Sequence, residues 1–293
     1  MQLSLKGVSA LFLTAFMFGT WGVLSRLLGQ HFDIFFQFWT RYLFLSSFLL
    51  LFLLIKKEWK PIDTKTLPWF GLRVILGFLS ILTFYISFNA ISIGTAYFAI
   101  YAGTVVGGFI LGIFFFKEKL TFVKSISFLL SLLGIYIIYF VNFNPSQFLY
   151  LLLAVSSGLI YAAWYSFSKK ISGSYSVAQI SFIDYATGLL FSLILSILLH
   201  ETWIIPTLTF PWLILLVFAI TSLATSILIL YGFRHVEVQL GTIILLTEIL
   251  FGIALGYFVF HEVLTPTILL GGSFVITATV LPLLSKQNKQ KST

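Results

Sequence analysis

Cysteine is absent from the 293 residues, and charge is scarce: Asp, Glu, Lys and Arg together make up 9% of the chain. The first absence excludes a disulfide framework and a thiolate metal site. The second excludes a soluble globular domain, in which about a quarter of the residues are charged. Nucleotide-binding and hydrolytic signatures are missing too. The chain has no G-x-x-x-x-G-K-[ST], no H-E-x-x-H, no G-x-S-x-G and no His and Asp at zinc spacing within an apolar run. ATP drive by this chain alone is therefore excluded, catalysis is disfavoured, and neither a metal nor a cofactor is expected.

What the chain has is apolar surface, with 59% hydrophobic residues. A bilayer core takes about 20 apolar residues per helix. Ten runs qualify, at about 8–29, 34–55, 68–90, 94–116, 122–141, 148–168, 177–199, 211–232, 238–260 and 265–285. The connections are short, so the expected fold class is an all-α polytopic membrane protein. The first run is too long for a signal-peptide core and lacks a small-residue cleavage site, so it is expected to stay as the first helix.

The net charge of +8 resolves once the basic residues are placed on the connections. Of 17 Lys and Arg, 14 fall on alternate connections and the tails: Lys6; Lys56, Lys57, Lys60, Lys65; Lys117, Lys119, Lys124; Lys169, Lys170; Arg234; Lys286, Lys289, Lys291. The opposite connections hold Arg26 alone, while Arg41 and Arg73 lie in helices. The positive-inside rule then expects both termini in the cytoplasm and the chain in the cytoplasmic (inner) membrane. The basic excess reports topology, so no nucleic-acid partner is expected. The expected partners are the lipid bilayer, a small-molecule substrate and protons.

The chain also repeats itself. "LGIFFFKEKLT" at 111–121 returns as "LGYFVFHEVLT" at 255–265, and a shift of 143 to 145 residues aligns more. Trp21 falls on Trp164, Arg26 on Lys169, Arg41-Tyr42 on Asp184-Tyr185, and Pro68-Trp69 on Pro211-Trp212. The expected organisation is two five-helix repeats, 1–145 and 146–285, with a basic tail at 286–293. Five is odd, so the second copy enters the membrane from the other side, giving inverted repeats of the kind found in secondary transporters. Lys117 and Lys119 give way to His261 and Val263 in the second copy because that end of the repeat lies on the outer face.

An aromatic first helix ("FGTWGVLSR"), an Arg in the second ("TRYLF") and the Glu-hydrophobic ends "FKEKLT" and "FHEVLT", set on ten helices as five plus five, resemble the EamA-type transporters of the drug/metabolite transporter superfamily. The resemblance spans essentially the whole chain. It implies a central cavity lined by helices 1, 3, 4, 6, 8 and 9, with helices 2 and 7 as gates and helices 5 and 10 toward the periphery. One departure stands out. That family often has a proline in helices 4 and 9, where this chain reads "YAGTVVGG" and "LLTEILFG", so nothing that depends on a proline-broken helix is carried over.

Charged side chains at membrane depth cost about 2.5 to 3.5 kcal/mol on insertion scales, so each needs a reason. Glu248 lies about ten residues into the ninth run, roughly 15 Å along it and near the midplane. Gly252 and Gly256 follow on its face, and the first-repeat equivalents are Thr104, Gly108 and Gly112. Small residues at every fourth position read as a helix-packing face. The one position on it that changes class is Thr104 to Glu248, which marks Glu248 as a substrate- or ion-binding candidate against a role as helix glue. Arg41 and Asp184 share a repeat position with opposite sign, at depths roughly 8 to 10 Å apart. They are candidates for carboxylate binding or gating, against simple satisfaction by neighbours. Arg73, near the cytoplasmic end of its run, is expected to snorkel to headgroups.

Trp59, Trp69, Trp203 and Trp212 lie near run ends and read as interfacial anchors. Tyr97 and Tyr101 share the face of Thr104 and, with Trp21 and Trp164, are expected to line a cavity that stacks on an organic solute. Packing is the alternative for all four. Asn89 is a further polar candidate. His200-Glu201, His261-Glu262 and His31 near Asp33 read as interfacial polar residues rather than a metal site. The expected function is secondary transport of a small organic metabolite by alternating access, either proton-coupled or facilitated, and amino-acid-like because both charge signs line the path. The alternatives are export of cationic drugs and a non-transporting scaffold or receptor.

Overall fold

In hydrocarbon an unpaired backbone amide has no water to bond, so a chain this apolar closes its hydrogen bonds within helices. The computed structural model describes residues 4–91, 93–139 and 145–291, without the side chains of 88, 89, 93, 94 and 286–291. The helices are α1 (Leu5–Leu28), α2 (Ile34–Lys56), α3 (Leu67–Ala90), α4 (Ile93–Ile110), α5 (Phe122–Tyr139), α6 (Phe148–Ser166), α7 (Val177–Leu198), α8 (Phe210–His235), α9 (Val238–Leu245), α10 (Thr247–Phe260) and α11 (Pro266–Lys291). The described residues contain no strand. Ten segments are long and apolar enough to cross a membrane, with α9 and α10 sharing the ninth crossing. An even number of crossings returns both chain ends to one side, called here the terminal face.

The repeated phrases turn out to be helix punctuation. Pro68 and Pro211 occupy the first turns of α3 and α8, where the missing amide hydrogen costs nothing. The stops are repeated as well. Lys57 and His200 end α2 and α7, while Lys117 and His261 end the fourth and ninth crossings, and among the described residues these are the four non-glycine residues with positive φ, at 52° to 54°. Behind each comes a glutamate whose amide reaches back to a helix carbonyl: Glu58 to Leu53 (3.2 Å), Glu201 to Ser196 (3.0 Å), Glu118 to Gly112 (2.7 Å) and Glu262 to Gly256 (3.3 Å). Such a left-handed residue followed by a backward bond is how helices are ended, usually with glycine. Here the same break is written twice in each repeat.

Packing obeys the same exchange. The extensive contacts are α4 with α6, α1 with α10, α1 with α8, α3 with α6, α2 with α7, and α5 with α11. Moving each crossing five places along turns this set into itself, which is the inverted twofold of the repeats. At the α4–α6 crossing, Gly103 and Gly158 each face the other helix's backbone with no room for a Cβ. At α1–α10 the close approach is made by Gly19, against Phe251 and the Gly252 backbone.

The expected glycine face needs correction. A Cβ on Gly252 would meet open space, and one on Gly256 would strike the Glu262 carboxylate rather than another helix. Gly108 does pack against another helix, at Thr242, and Gly112 is covered by Gln239 and Glu118. Trp212 is also not an interfacial anchor. It is 9% exposed and packs on Phe32 and Phe36 at ring distances of 5.0 and 6.1 Å.

Among the described residues three crossings depart from regular helix, the sixth opening and closing in 3-10 turns at Pro145–Gln147 and Phe167–Lys170. The fourth ends in a π-turn, Leu111–Phe115. The ninth breaks at Leu246, where the amide is shared between the carbonyls of Thr242 (3.3 Å) and Ile243 (3.2 Å). The broken helix comes about without a proline. The largest core cluster, around Leu11, Tyr165, Ile229 and Phe233, draws the helices together in the terminal half.

Candidate functional site

A cavity of about 410 Å³ occupies the middle of the bundle. Every helix except α5 and α11 contributes to its wall. The two peripheral helices pack on each other instead, with the Gly134 and Gly271 backbones in close approach. Helices α2 and α7 are part of the wall, since Arg41 and Asp184 both line it.

The floor, on the terminal side, is an ion pair. Arg73 Nε donates to both Asp184 oxygens at 3.0 Å, Nη2 donates to Oδ2 at 2.8 Å, and Nη1 donates to the Trp164 carbonyl at 2.7 Å. The guanidinium also lies 4.1 Å from the Trp164 ring centre. Arg73 is 2% exposed, so the snorkelling expectation fails. Burying this charge is offset by a carboxylate, a carbonyl and an aromatic face at once. Asp184 is thereby taken, and its repeat partner Arg41 is left without it.

Arg41 sits in a box of rings, with its guanidinium carbon 3.8 Å from the Phe218 centroid, 5.1 Å from Phe38, 5.4 Å from Tyr42 and 6.0 Å from Trp21. It is 3% exposed and belongs to none of the ion pairs among the described residues. Its Nε and the Nε1 of neighbouring Trp21 are buried donors with no hydrogen-bond partner. Buried donors are nearly always satisfied, so two orphans side by side behind the cavity wall are donors that an acceptor reaches once the ring box around Arg41 opens.

Glu248 lines the same cavity from the first turn of α10, just past the break at Leu246. Its carboxyl faces the Tyr101 hydroxyl. Tyr97, Tyr101 and Tyr139 stack beside it with ring centres 5.7 to 6.3 Å apart. Thr104 lines the cavity too, but its hydroxyl donates to the Gly158 carbonyl at 3.3 Å and so also ties α4 to α6. Trp21, Trp164, Tyr97 and Tyr101 all line the cavity. The Asn89 side chain lies outside the described residues. No metal-binding cluster of His, Asp and Glu occurs among the described residues.

The two faces are not equally closed. Ser25 of α1 lines the cavity and is exposed, whereas its repeat equivalent Ser168 is 1% exposed. The polar end residues also have work that single-helix reasoning missed. Glu201 accepts from the Phe35 and Phe36 amides at 2.9 and 2.7 Å, capping α2 from the far repeat. Asp33 returns the favour to the Thr202 amide at 2.8 Å.

A model of the EamA-like transporter family matches residues 5–140 and 148–284. A solved crystal structure, described only as that of a protein, superposes with a TM-score of 0.80 at 14% identity, over 96% of this chain and 98% of that one. At that identity the likeness shows the fold alone. No curated protein matches the chain.

Proposed function

The chain belongs to the EamA-like transporter family, and from that footing we propose that it carries a small amino-acid-like solute across the cytoplasmic membrane by alternating access. Its termini are cytoplasmic in this reading, because 14 of its 17 basic residues fall on that side. The open face is then the outer one. The repeats 1–145 and 146–285 are the units that rock against each other.

The observation that carries the substrate class is the pair of orphan donors, Arg41 Nε and Trp21 Nε1, on one wall. A carboxylate that enters as the ring box opens satisfies both and neutralises a buried cation that no side chain among the described residues pairs with. Across the cavity, Glu248 beside its tyrosine stack suits an ammonium group, and it also suits a proton when the solute is away. The remaining wall mixes aromatic residues with hydroxyl-bearing and aliphatic ones and takes the body of the solute. A cationic drug fits less well. Asp184 is committed to Arg73, so the uncommitted charges are one cation and one carboxyl.

Purified protein in liposomes, challenged with a mixture of amino acids, their deaminated acids and their decarboxylated amines, tests this. Uptake of the zwitterions above both single-charge sets is expected. Preference for the amines overturns the reading in favour of a cation exporter, and transport of none of the three sets overturns it altogether.

A further inference from the structure

On the terminal face Glu118 does an unusual job. Its carboxylate, 7% exposed, accepts from the amides of Val238 (2.6 Å) and Gln239 (3.1 Å), the first two residues of α9. The N-cap of α9 itself, Glu237, makes no side-chain cap bond, so the cap comes from the other repeat. Lys169 stands 3.6 Å from the same carboxylate, donates to the Val236 carbonyl at 2.6 Å and lies 5.4 Å from the Phe116 ring centre. The end of the fourth crossing, the end of α6 and the start of α9 are thus laced together.

The opposite face has the same parts. Arg26, Phe260 and Glu262 are the repeat equivalents of Lys169, Phe116 and Glu118. Arg26 meets Glu262 at 2.5 Å and Phe260 at 4.2 Å. Here, however, the ion pair is open to solvent, with side chains 56% and 52% exposed. Among the described residues, the Glu262 carboxylate is bonded to Arg26 alone. Both glutamate arms are preset alike. Each follows a left-handed residue, each folds its amide back on a helix carbonyl, and each lays its carboxylate over a glycine, Gly112 or Gly256. What differs is whether the other repeat's helix start has come up to meet it.

We propose that Glu118 and Glu262 are the two halves of one gate, each capping the first turn of a crossing in the other repeat only while its own face is shut. In the reverse state Glu262 caps Gly94 and Thr95, the repeat equivalents of Val238 and Gln239, and Glu118 is released to solvent with Lys169. The two caps trade places, so the charge-assisted bonds lost on one face are regained on the other. This keeps both end states close in energy, as a carrier needs. The inference rests on the alternating-access part of the proposed function and not on the identity of the solute.

The absence of cysteine makes a direct test simple. Ser25→Cys and Ser168→Cys report the two faces through their reaction rates with a hydrophilic maleimide in detergent, where both sides are accessible and no solute is needed. With otherwise native sequence, Ser25→Cys reacts fast and Ser168→Cys slowly. Added E118Q raises the Ser168→Cys rate about tenfold or more, equal to roughly 1.4 kcal/mol, and slows Ser25→Cys. Added E262Q, at a half-exposed side chain that the fold does not need, lowers the slow Ser168→Cys rate by a similar factor and thus decides the matter even where E118Q does not fold. Rates that E262Q leaves unchanged, or that E118Q leaves unchanged in folded protein, overturn the gate. Because no solute enters the measurement, a failed uptake assay leaves this result standing, and a failed gate leaves the uptake result standing.

Discussion

Arg73 holds Asp184 across the floor of the cavity through three nitrogen–oxygen contacts of 2.8 to 3.0 Å, one helix pair away from the arginine that shares Asp184's repeat position. Removing one member of a buried ion pair strands the other and costs about 3 to 5 kcal/mol, whereas replacing both by apolar residues is close to neutral. R73M and D184L are each expected to lower the melting temperature in detergent sharply, and the double variant to regain most of the loss. A double variant no more stable than the singles would show that the pair is not the element holding the floor.

Arg41 has no such carboxylate partner among the described residues. R41Q is expected to cut uptake about tenfold or more, as the loss of a bond to a charged group worth roughly 1.5 to 3 kcal/mol implies, while the protein still expresses and stays monodisperse. R41L behaves likewise. Normal uptake by R41L in liposomes removes the carboxylate role. Because Asp184 belongs to Arg73, the charge swap R41D with D184R recovers nothing beyond either single reversal.

Glu248 carries the proton in the proposed cycle. E248Q keeps the shape and the hydrogen-bonding capacity of the side chain but never titrates. It is expected to fold normally, to lose uphill accumulation under an imposed pH gradient, and to retain exchange of solute for solute. Accumulation matching the unaltered protein under the same gradient returns Glu248 to the role of helix glue.

Orientation is checked in intact cells with an impermeant thiol reagent. Cysteines placed singly at the exposed positions Lys57, Lys119 and Lys170 are expected to resist it, and those at His200 and His261 to label. Labelling of the first set from outside inverts the topology, and with it which face of the cavity is open to the medium.

Much of this molecule is readable before any coordinates, because in a bilayer hydropathy alone separates crossings from connections, and a doubled sequence makes each crossing check another. The cavity-lining aromatics, Trp21, Trp164, Tyr97 and Tyr101, were legible through the repeat and through helical spacing. The Arg73–Asp184 pair was legible in principle. Arg73 lies six residues from the start of α3 and Asp184 seven from the start of α7, both counted from the terminal face, so they share a depth that Arg41 and Asp184 do not. Judging Arg73 by its own helix end hid that. The caps by Glu118 and Glu201 were not legible, since a glutamate after a helix gives no sign of which distant amides it will meet. Trp212 shows the same limit: a tryptophan at a run end reads as interfacial until a neighbouring turn, here Phe32 and Phe36, covers it.

A bend made by proline is a covalent fact, because the missing hydrogen cannot be restored and the ring cannot be moved aside. The bend at Leu246 is held by hydrogen bonds: its amide is shared between the carbonyls of Thr242 and Ile243, 3.3 and 3.2 Å away, and the Thr247 hydroxyl donates to the Ile244 carbonyl at 2.7 Å. Every amide around it keeps its hydrogen, so nothing covalent fixes the bend. The ninth crossing therefore carries a crease written in hydrogen bonds alone, two residues before the carboxyl proposed to load and release its cargo.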